Sequence, residues 1–392
     1  MIAHLHAVDR EHADPPLTEI LESATGSTFV EGNAIEVLRN GDQIFPAMLR
    51  AIEDADDYVD FLTYVYWEGE IARRFAHTLA ERARAGIEVR VLLDGYGAAA
   101  MDSDLARMMR DAGADVRYFR SPVRWRFWQT PHRTHRKVLV VDGEVAFTGG
   151  VGIADEWTGD ARDPDEWRDT HLEIRGPAVA GLQAAFTGNW VEECDDVPVL
   201  ARAVSRRPVG SARVLSMRST ASVGWSDVAT LVWAAIANAK RRIEITTAYF
   251  VPDERSVTLL KDAAERGVEV NVLVPGPHND MRVCDLAHGP EVWPLIESGV
   301  RIHRYQPTMI HAKVMLVDDL AIVGSPNFNH RSMRQDDECC VVIDDEATVR
   351  ELEQHLGEDL QCAALTTRDQ WARRPWYRRA LEWLTSLFRH QL

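Results

Sequence analysis

Hydrophobic and polar positions along this chain fall into the same succession of elements twice. Apolar residues recur at helical spacing from Phe45 to Ala55, and Tyr58–Thr63 then reads as a strand. The pattern is helical again from Glu70 to Ala85 and stops at Gly86, after which Ile87–Leu93 reads as a strand. The second half repeats this order: a helix over Val228–Ala239, a strand over Ile243–Thr247, a helix over Arg255–Arg266 stopped by Gly267, and a strand over Val268–Val274. The stretches Ala83–Leu92 and Ala264–Leu273 are near copies, each with glycine where a left-handed residue closes the helix.

Strands alternating with helices of this length predict α/β layering, with helices on both faces of a sheet. The repeat is a two-copy duplication rather than a solenoid. Val197–Leu215 is richer in Pro, Gly, Ser and Arg and is expected to link the halves. The expected organisation is an irregular segment 1–30, a first half 31–196, a linker 197–215, a second half 216–346 and a C-terminal helical segment 347–392.

Later in each half a second shared pattern carries chemistry. His135-Arg136-Lys137 is followed by four residues and Asp142, and His311-Ala312-Lys313 by four residues and Asp318. Val138–Val141, the turn dipeptide Asp142-Gly143 and Glu144–Phe147 read as a hairpin. Residues two apart on a strand share a face, so His135 points with Lys137 and His311 with Lys313. Ser325 and Asn327 stand in the same relation after the second hairpin. An imidazole, an ammonium, a hydroxyl and an amide suit a phosphate diester. Lysine neutralises the non-bridging oxygens, Ser and Asn donate hydrogen bonds, one histidine attacks phosphorus and the other protonates the departing alcohol. Asp142 and Asp318 are candidates for the same catalytic set, or for turn residues chosen for their backbone preference.

The length of 392 residues allows two fused units of ordinary size. A net charge of −17 repels phosphate backbones, so nucleic acid is not an expected partner. Between Arg120 and Lys137 the balance reverses, with six Lys or Arg and no acid. The five cysteines fit no zinc spacing, and no metal or other cofactor is implied. Adjacent Cys339 and Cys340 read as small buried hydrophobes of a reducing compartment. No signal peptide is read at Met1–Arg10, and no apolar run approaches the roughly 20 residues that span a bilayer. Membrane contact is therefore expected to be peripheral.

The duplicated H-x-K-x4-D pattern resembles that of the phospholipase D superfamily, over about residues 45–345. Within it the chain is most similar to bacterial cardiolipin synthases, on Thr134–Lys137, Asp142-Gly143 through Thr148–Gly150, Trp167–His171, Tyr249–Asp253, His311–Lys313 and Gly324–Ser332. The resemblance implies two similar α/β/α sandwich halves packed as a pseudo-twofold pair, with the active site at their seam. It implies a double displacement through a phosphohistidine, with His135 as nucleophile and His311 as acid and base. Asp169 and Glu338, at matching places, would each hold a motif histidine through its second nitrogen. The implied reaction transfers a phosphatidyl group from phosphatidylglycerol to a second phospholipid headgroup hydroxyl. Hydrolysis by a phospholipase D or another phosphodiesterase, or lipid binding without catalysis, are the alternatives. The chain departs from the family pattern at Gly152, where relatives often carry Asn, and its second hairpin is one residue shorter.

Two segments point to an anionic phospholipid surface. Arg124, Trp125, Arg126, Phe127 and Trp128 mix cations with aromatics just before His135, as a headgroup-level loop does; the same aromatics could instead serve the core. Trp376, Ala380, Trp383, Leu384, Leu387 and Phe388 form one stripe of a basic amphipathic helix, suited to a bilayer or to the protein surface. The expected location is the cytoplasmic face of the cell membrane. Two halves in one chain complete a site without a second copy, and the sequence sets no oligomeric state.

Overall fold

The computed structural model describes residues 14–121, 132–193, 204–220, 226–281, 289–375, 381–382 and 385. The first half supplies β1 (Val30–Arg39), β2 (Tyr58–Thr63), β3 (Glu88–Asp94), β4 (Asp115–Phe119), β5 (Val138–Val141), β6 (Val145–Gly149) and β7 (Thr170–Arg175). The second supplies β8 (Ala212–Ser219), β9 (Arg242–Thr246), β10 (Glu269–Pro275), β11 (Arg301–Tyr305), β12 (Val314–Val317), β13 (Leu320–Gly324) and β14 (Glu338–Asp344), with β15 (Ala363–Leu365) beyond. Their order across the sheet is β15-β11-β10-β9-β12-β13-β14-β8-β1-β7-β6-β5-β2-β3-β4. Reading outward from the β1–β8 join, both halves have the same topology, and β15 alone lacks a counterpart. Strands β2, β3 and β4 run parallel, as do β9, β10 and β11, and the remaining pairings are antiparallel.

The helices form where their apolar stripes find a sheet face. In Glu70–Arg84, Ile71, Ala72, Phe75, Ala76, Leu79 and Ala80 are buried, the i, i+4 and i+8 spacing of one helix face. Its first turn is capped by Asp155, whose carboxylate accepts from the backbone amides of Glu70 and Ile71, each at 2.9 Å. It ends at Gly86, φ +92°. The matching helix Glu254–Glu265 is capped by Asp253, which accepts from Ser256 N at 2.8 Å, and ends at Gly267, also at φ +92°. Each half thus has its own apolar layer, and a third lies centrally, where Leu182 and Phe186 of the helix Val179–Glu192 and Leu352 and Leu356 of the helix Glu346–Gln361 are buried together.

At the join, β1 and β8 pair through Val30–Val214 and Asn33–Ala212, with an irregularity between. The fully buried Asn33 bridges that break, donating from Nδ2 to Val30 O at 2.8 Å and Ala212 O at 3.1 Å. The expected pseudo-twofold pair of α/β halves is therefore what the chain forms.

Three expectations about segments need correction. Leu17–Thr25 is a helix rather than irregular chain. Its buried Leu21 joins the apolar layer of the second half, a distant partner that no local pattern reveals. The expected linker 197–215 already contains the start of β8, whose residues Ala212–Leu215 are committed to pairing with β14 and β1. The C-terminal segment, expected to be helical, also contributes β15, which pairs with β11. Among the described residues no helix is long and apolar enough to cross a membrane. The basic aromatic segment Arg124–Trp128 and the stripe Trp376–Phe388 lie outside the described residues.

Candidate active site

Each His-x-Lys segment leads into the first strand of its hairpin, at the carboxyl ends of the parallel strands, where open α/β sheets place their ligand sites. What brings the two segments together is a pair of short backbone bridges between the halves. His135 N donates to Asp337 O at 2.8 Å and Asp337 N to Arg133 O at 2.8 Å. Symmetrically, His311 N donates to Arg168 O at 2.7 Å and Arg168 N to Met309 O at 2.8 Å. Each histidine of one half is thereby set beside the carboxylate that follows the bridging residue of the other.

The carboxylates cross over. Glu338, which opens β14 in the second half, lies 2.9 Å from Nδ1 of His135 in the first. Asp169, just before β7 in the first half, lies 2.8 Å from Nδ1 of His311 in the second. An ionised carboxylate only accepts, so Nδ1 of each ring carries the proton and Nε2 keeps its lone pair. Both carboxylates are held in turn. Glu338 accepts from Ser325 Oγ, and Asp169 accepts from Trp157 Nε1 at 2.9 Å and Thr170 N at 2.8 Å.

The two halves solve the same packing problem with different side chains. A Cβ on Gly150 would stand 2.2 Å from Asp169 Oδ1, so the short aspartate leaves no room for a side chain there. The longer Glu338 reaches its histidine from further away and leaves space for Ser325. Ser325, expected to hold or support phosphate, therefore supports: its hydroxyl is engaged by Glu338 and, at 3.1 Å, by Cys339 O.

All six central side chains are buried, His135 retaining the most exposure at 9%. Lys137 Nζ donates to His135 O at 2.9 Å. Lys313 Nζ lies 3.0 Å from His311 Nε2 and also reaches His311 O. The charge of each lysine is felt by the histidine of the other half, which makes the two sets one electrostatic cluster. Burial lowers the His135 pKa to about 4 against the opposing pull of Glu338. Burial and the Lys313 charge lower that of His311 to about 3. Both rings are thus neutral at pH 7 in the absence of ligand. Burial also lowers Lys137 to about 8 and Lys313 to about 7. Burial opposes ionisation of Asp169, but the His311 hydrogen bond and Lys313 hold it at about 2. Burial likewise opposes ionisation of Glu338, yet His135, Lys137 and Ser325 hold it below the ordinary range.

Asp142 and Asp318, expected among the catalytic residues, stand apart from this cluster. Four strand residues separate Lys137 from Asp142, five steps or roughly 16 Å at 3.3 Å per residue. Asp142 sits at φ +54° and Asp318 at φ +53°, the left-handed region that Asp tolerates better than most side chains. The Asp142 carboxylate accepts from the amides of Asp56, Asp57 and Tyr58 at 2.8–2.9 Å. Asp318 does the same for Lys240, Arg241 and Arg242 at 2.8–3.1 Å. Each aspartate turns its hairpin and pins the start of the neighbouring parallel strand, which accounts for its place in the motif.

Asn327 is buried along a small apolar cavity that it shares with Lys313, and its Oδ1 has no hydrogen-bond partner among the described residues. At Gly152, where the family pattern led to an expectation of Asn, a Cβ would stand 2.6 Å from Val65 Cβ and 3.3 Å from the Trp157 ring. That space is filled by apolar side chains. Gly152→Asn is therefore expected to destabilise the fold by about 1–3 kcal/mol through overpacking, read as a lower Tm. An unchanged Tm would show that Val65 and Trp157 move aside freely.

Several supporting residues escape sequence reasoning. Tyr64 stands edge-on to His135, ring centroids 5.2 Å apart, and its ring lies 5.6 Å from Lys137 Nζ. Trp157 is edge-on to His311 at 5.0 Å. Fully buried Arg136 donates to Ala185 O at 2.8 Å, Asn189 Oδ1 at 2.7 Å and Ser219 O at 2.7 Å. Buried Arg168 pairs with Asp359 at 2.9 Å. The one available signal was position: Arg136 lies between His135 and Lys137, and Arg168 immediately precedes Asp169.

A duplicated α/β sheet with two carboxylate-backed histidines at its seam defines a phosphodiester-processing architecture, and comparison with known proteins agrees. The chain belongs to the family described as cardiolipin synthase, PLD-like domain, which matches residues 48–163 and 232–360. It is 30% identical over 378 residues to cardiolipin synthase 1 of Bacillus cereus, covering 93% of this chain and 74% of that protein. It is 33% identical over 340 residues to cardiolipin synthase A of Pseudomonas putida, covering 86% and 70%. Among solved structures, phosphatidylserine synthase of Haemophilus influenzae shares the fold with a TM-score of 0.71 at 13% identity, over 96% of this chain and all of that one.

Proposed function

We propose that the protein is a phosphatidyltransferase of the cardiolipin synthase type. It moves a phosphatidyl group from phosphatidylglycerol to the hydroxyl of a second phospholipid headgroup. The observation that carries this reading is the crossed pairing of His135 with Glu338 and His311 with Asp169, which aims the Nδ1 proton of each ring at a carboxylate and keeps Nε2 as its unprotonated nitrogen. The relatives named cardiolipin synthase support the choice of substrate and product.

In the first step His135 Nε2 attacks phosphorus, forming a P–N bond as the P–O bond to glycerol breaks. His311 gives its Nε2 proton to the departing oxygen. Glu338 stabilises the positive charge that develops on the His135 ring. Lys137 and Lys313 neutralise the non-bridging oxygens. In the second step His311 removes the proton of the acceptor hydroxyl, whose oxygen displaces His135 and restores the enzyme. His311 is neutral without substrate, and the anionic phosphodiester offsets the lysine charges that keep it so. Proton uptake by His311 thus accompanies substrate binding. The protein works at the surface of an anionic membrane, a reading that the basic and aromatic composition of Arg124–Trp128 supports.

Incubation with phosphatidylglycerol vesicles, followed by mass spectrometry of lipids and free glycerol, tests this reading. Cardiolipin with glycerol supports transfer, and phosphatidic acid with glycerol supports hydrolysis instead. No turnover overturns both.

The lysines set a pH dependence. Both are charged below their pKa values and lose that charge as pH rises through about 7 to 8. Because kcat/KM reports the free enzyme, it is expected to fall over that range. Bound phosphodiester raises the lysine pKa values, so kcat declines only at higher pH. A kcat/KM that stays level to pH 9 would contradict a role for lysine charge in capture.

A further inference from the structure

His311 serves the two alcohol oxygens of the reaction, so whatever stands beside its ring meets the rest of each alcohol. Tyr249 stands there, edge-on to the His311 ring with centroids 6.2 Å apart. Its phenol donates to Asp280 Oδ2 at 2.7 Å. Asp280 is exposed to solvent, and its charge acts on Lys313. The tyrosine beside the other histidine, Tyr64, is placed differently. Thr63 and Thr247 make the same turn, donating to Val65 O at 3.0 Å and Tyr249 O at 3.2 Å, so Tyr249 corresponds to Val65 and not to Tyr64. Among the described residues the Tyr249–Asp280 pair is thus a feature of the His311 side, where the pseudo-symmetry of the halves breaks.

We propose that Asp280, oriented by Tyr249, recognises the free hydroxyls of the glycerol headgroup whose bridging oxygen His311 protonates. A glycerol bound through one oxygen carries its other two hydroxyls within a few ångströms of it. A carboxylate is acceptor-only and pairs with such donors by charge-assisted hydrogen bonds. With Oδ2 engaged by the phenol, Oδ1 is directed by the same contact. The pair selects polyhydroxylated alcohols over alcohols that lack a second hydroxyl, because the latter leave the Asp280 oxygen without its donor. This inference rests on the alcohol-transfer reading of the site and adds the group that chooses the alcohol.

The test compares three donors presented in identical vesicles: phosphatidylglycerol, phosphatidylpropanol and phosphatidylethanolamine. The readout is released headgroup alcohol, measured whether the acceptor is water or lipid. The wild-type protein is expected to favour phosphatidylglycerol over phosphatidylpropanol in kcat/KM by about 10- to 100-fold, the usual consequence of one charge-assisted hydrogen bond. Asp280→Asn is expected to reduce that ratio to about 3 or less, Tyr249→Phe to reduce it in part, and Asp280→Glu to restore a portion. An equal loss on both donors in Asp280→Asn would overturn the proposal, since it would show only that Lys313 had lost a neighbouring charge. A preference for phosphatidylethanolamine that vanishes in Asp280→Asn would overturn it in favour of an ammonium site. The nature of the lipid product, cardiolipin or phosphatidic acid, separately decides the transfer reading. Consumption of no donor would overturn both.

Discussion

His135→Ala is expected to remove phosphatidyl transfer by at least about 10⁴-fold, the scale seen when a nucleophile acting with its base is lost. It should also abolish any trappable phosphoenzyme. Its ring keeps slightly more exposure than that of His311, its Nε2 is unprotonated at neutral pH, and its Nδ1 is backed by a carboxylate ready to meet the imidazolium charge. His311→Ala should be as severe with phosphatidylglycerol, for a different reason: the glycerol oxygen then leaves without a proton. A phosphatidyl donor with a p-nitrophenol leaving group separates the two roles, because that oxygen needs no proton. With this donor His311→Ala is expected to form phosphoenzyme and stall, since no base remains to activate the acceptor. His135→Ala is expected to form none. Phosphoenzyme in His135→Ala, and none in His311→Ala, would exchange the two assignments.

The second large effect concerns the crossed carboxylates. Glu338→Gln and Asp169→Asn keep size and much of the hydrogen bonding but change which ring nitrogen carries the proton. Either change is expected to lower kcat by about 10³- to 10⁴-fold, as tautomer loss does in other carboxylate–histidine pairs. The crossing makes the outcomes distinct. Glu338→Gln, a change in the second half, should impair phosphoenzyme formation with every donor, because it acts on His135. Asp169→Asn, a change in the first half, should spare formation from the p-nitrophenol donor and impair breakdown, because it acts on His311. Effects confined to the histidine of the mutated half would contradict the crossed geometry. Both variants should retain the bridges at Asp337 and Arg168, which are made by backbone atoms. Near-native circular dichroism is therefore expected, and it separates lost chemistry from lost folding.

The halves were legible in the sequence because their strands and helices repeat the same periodicities and the same glycine stops. Gly86 and Gly267 close equivalent helices at the same φ of +92°. The histidine–lysine pairs were legible for a similar reason, since side chains two apart on an extended segment must share a face. The aspartates of the motif were not interpretable in this way. Spacing shows that Asp142 and Asp318 recur, but only the fold shows that each carboxylate caps three amides of a strand start some 80 positions earlier. Ser325 is similar: its donor character was readable, whereas its partner depends on the length of Glu338.

By itself the sequence determined a duplicated α/β chain with two histidine–lysine sets aimed at one phosphodiester, because local periodicity and side-chain chemistry are properties of neighbouring residues. The tertiary structure alone decided that each histidine is tuned by the opposite half, that Arg136 and Arg168 buttress the seam, and that Tyr249 and Asp280 stand beside His311. Those contacts join residues 30 to 200 positions apart, where no spacing rule operates. They exist only once burial at the β1–β8 join has fixed how the two halves of the sheet meet.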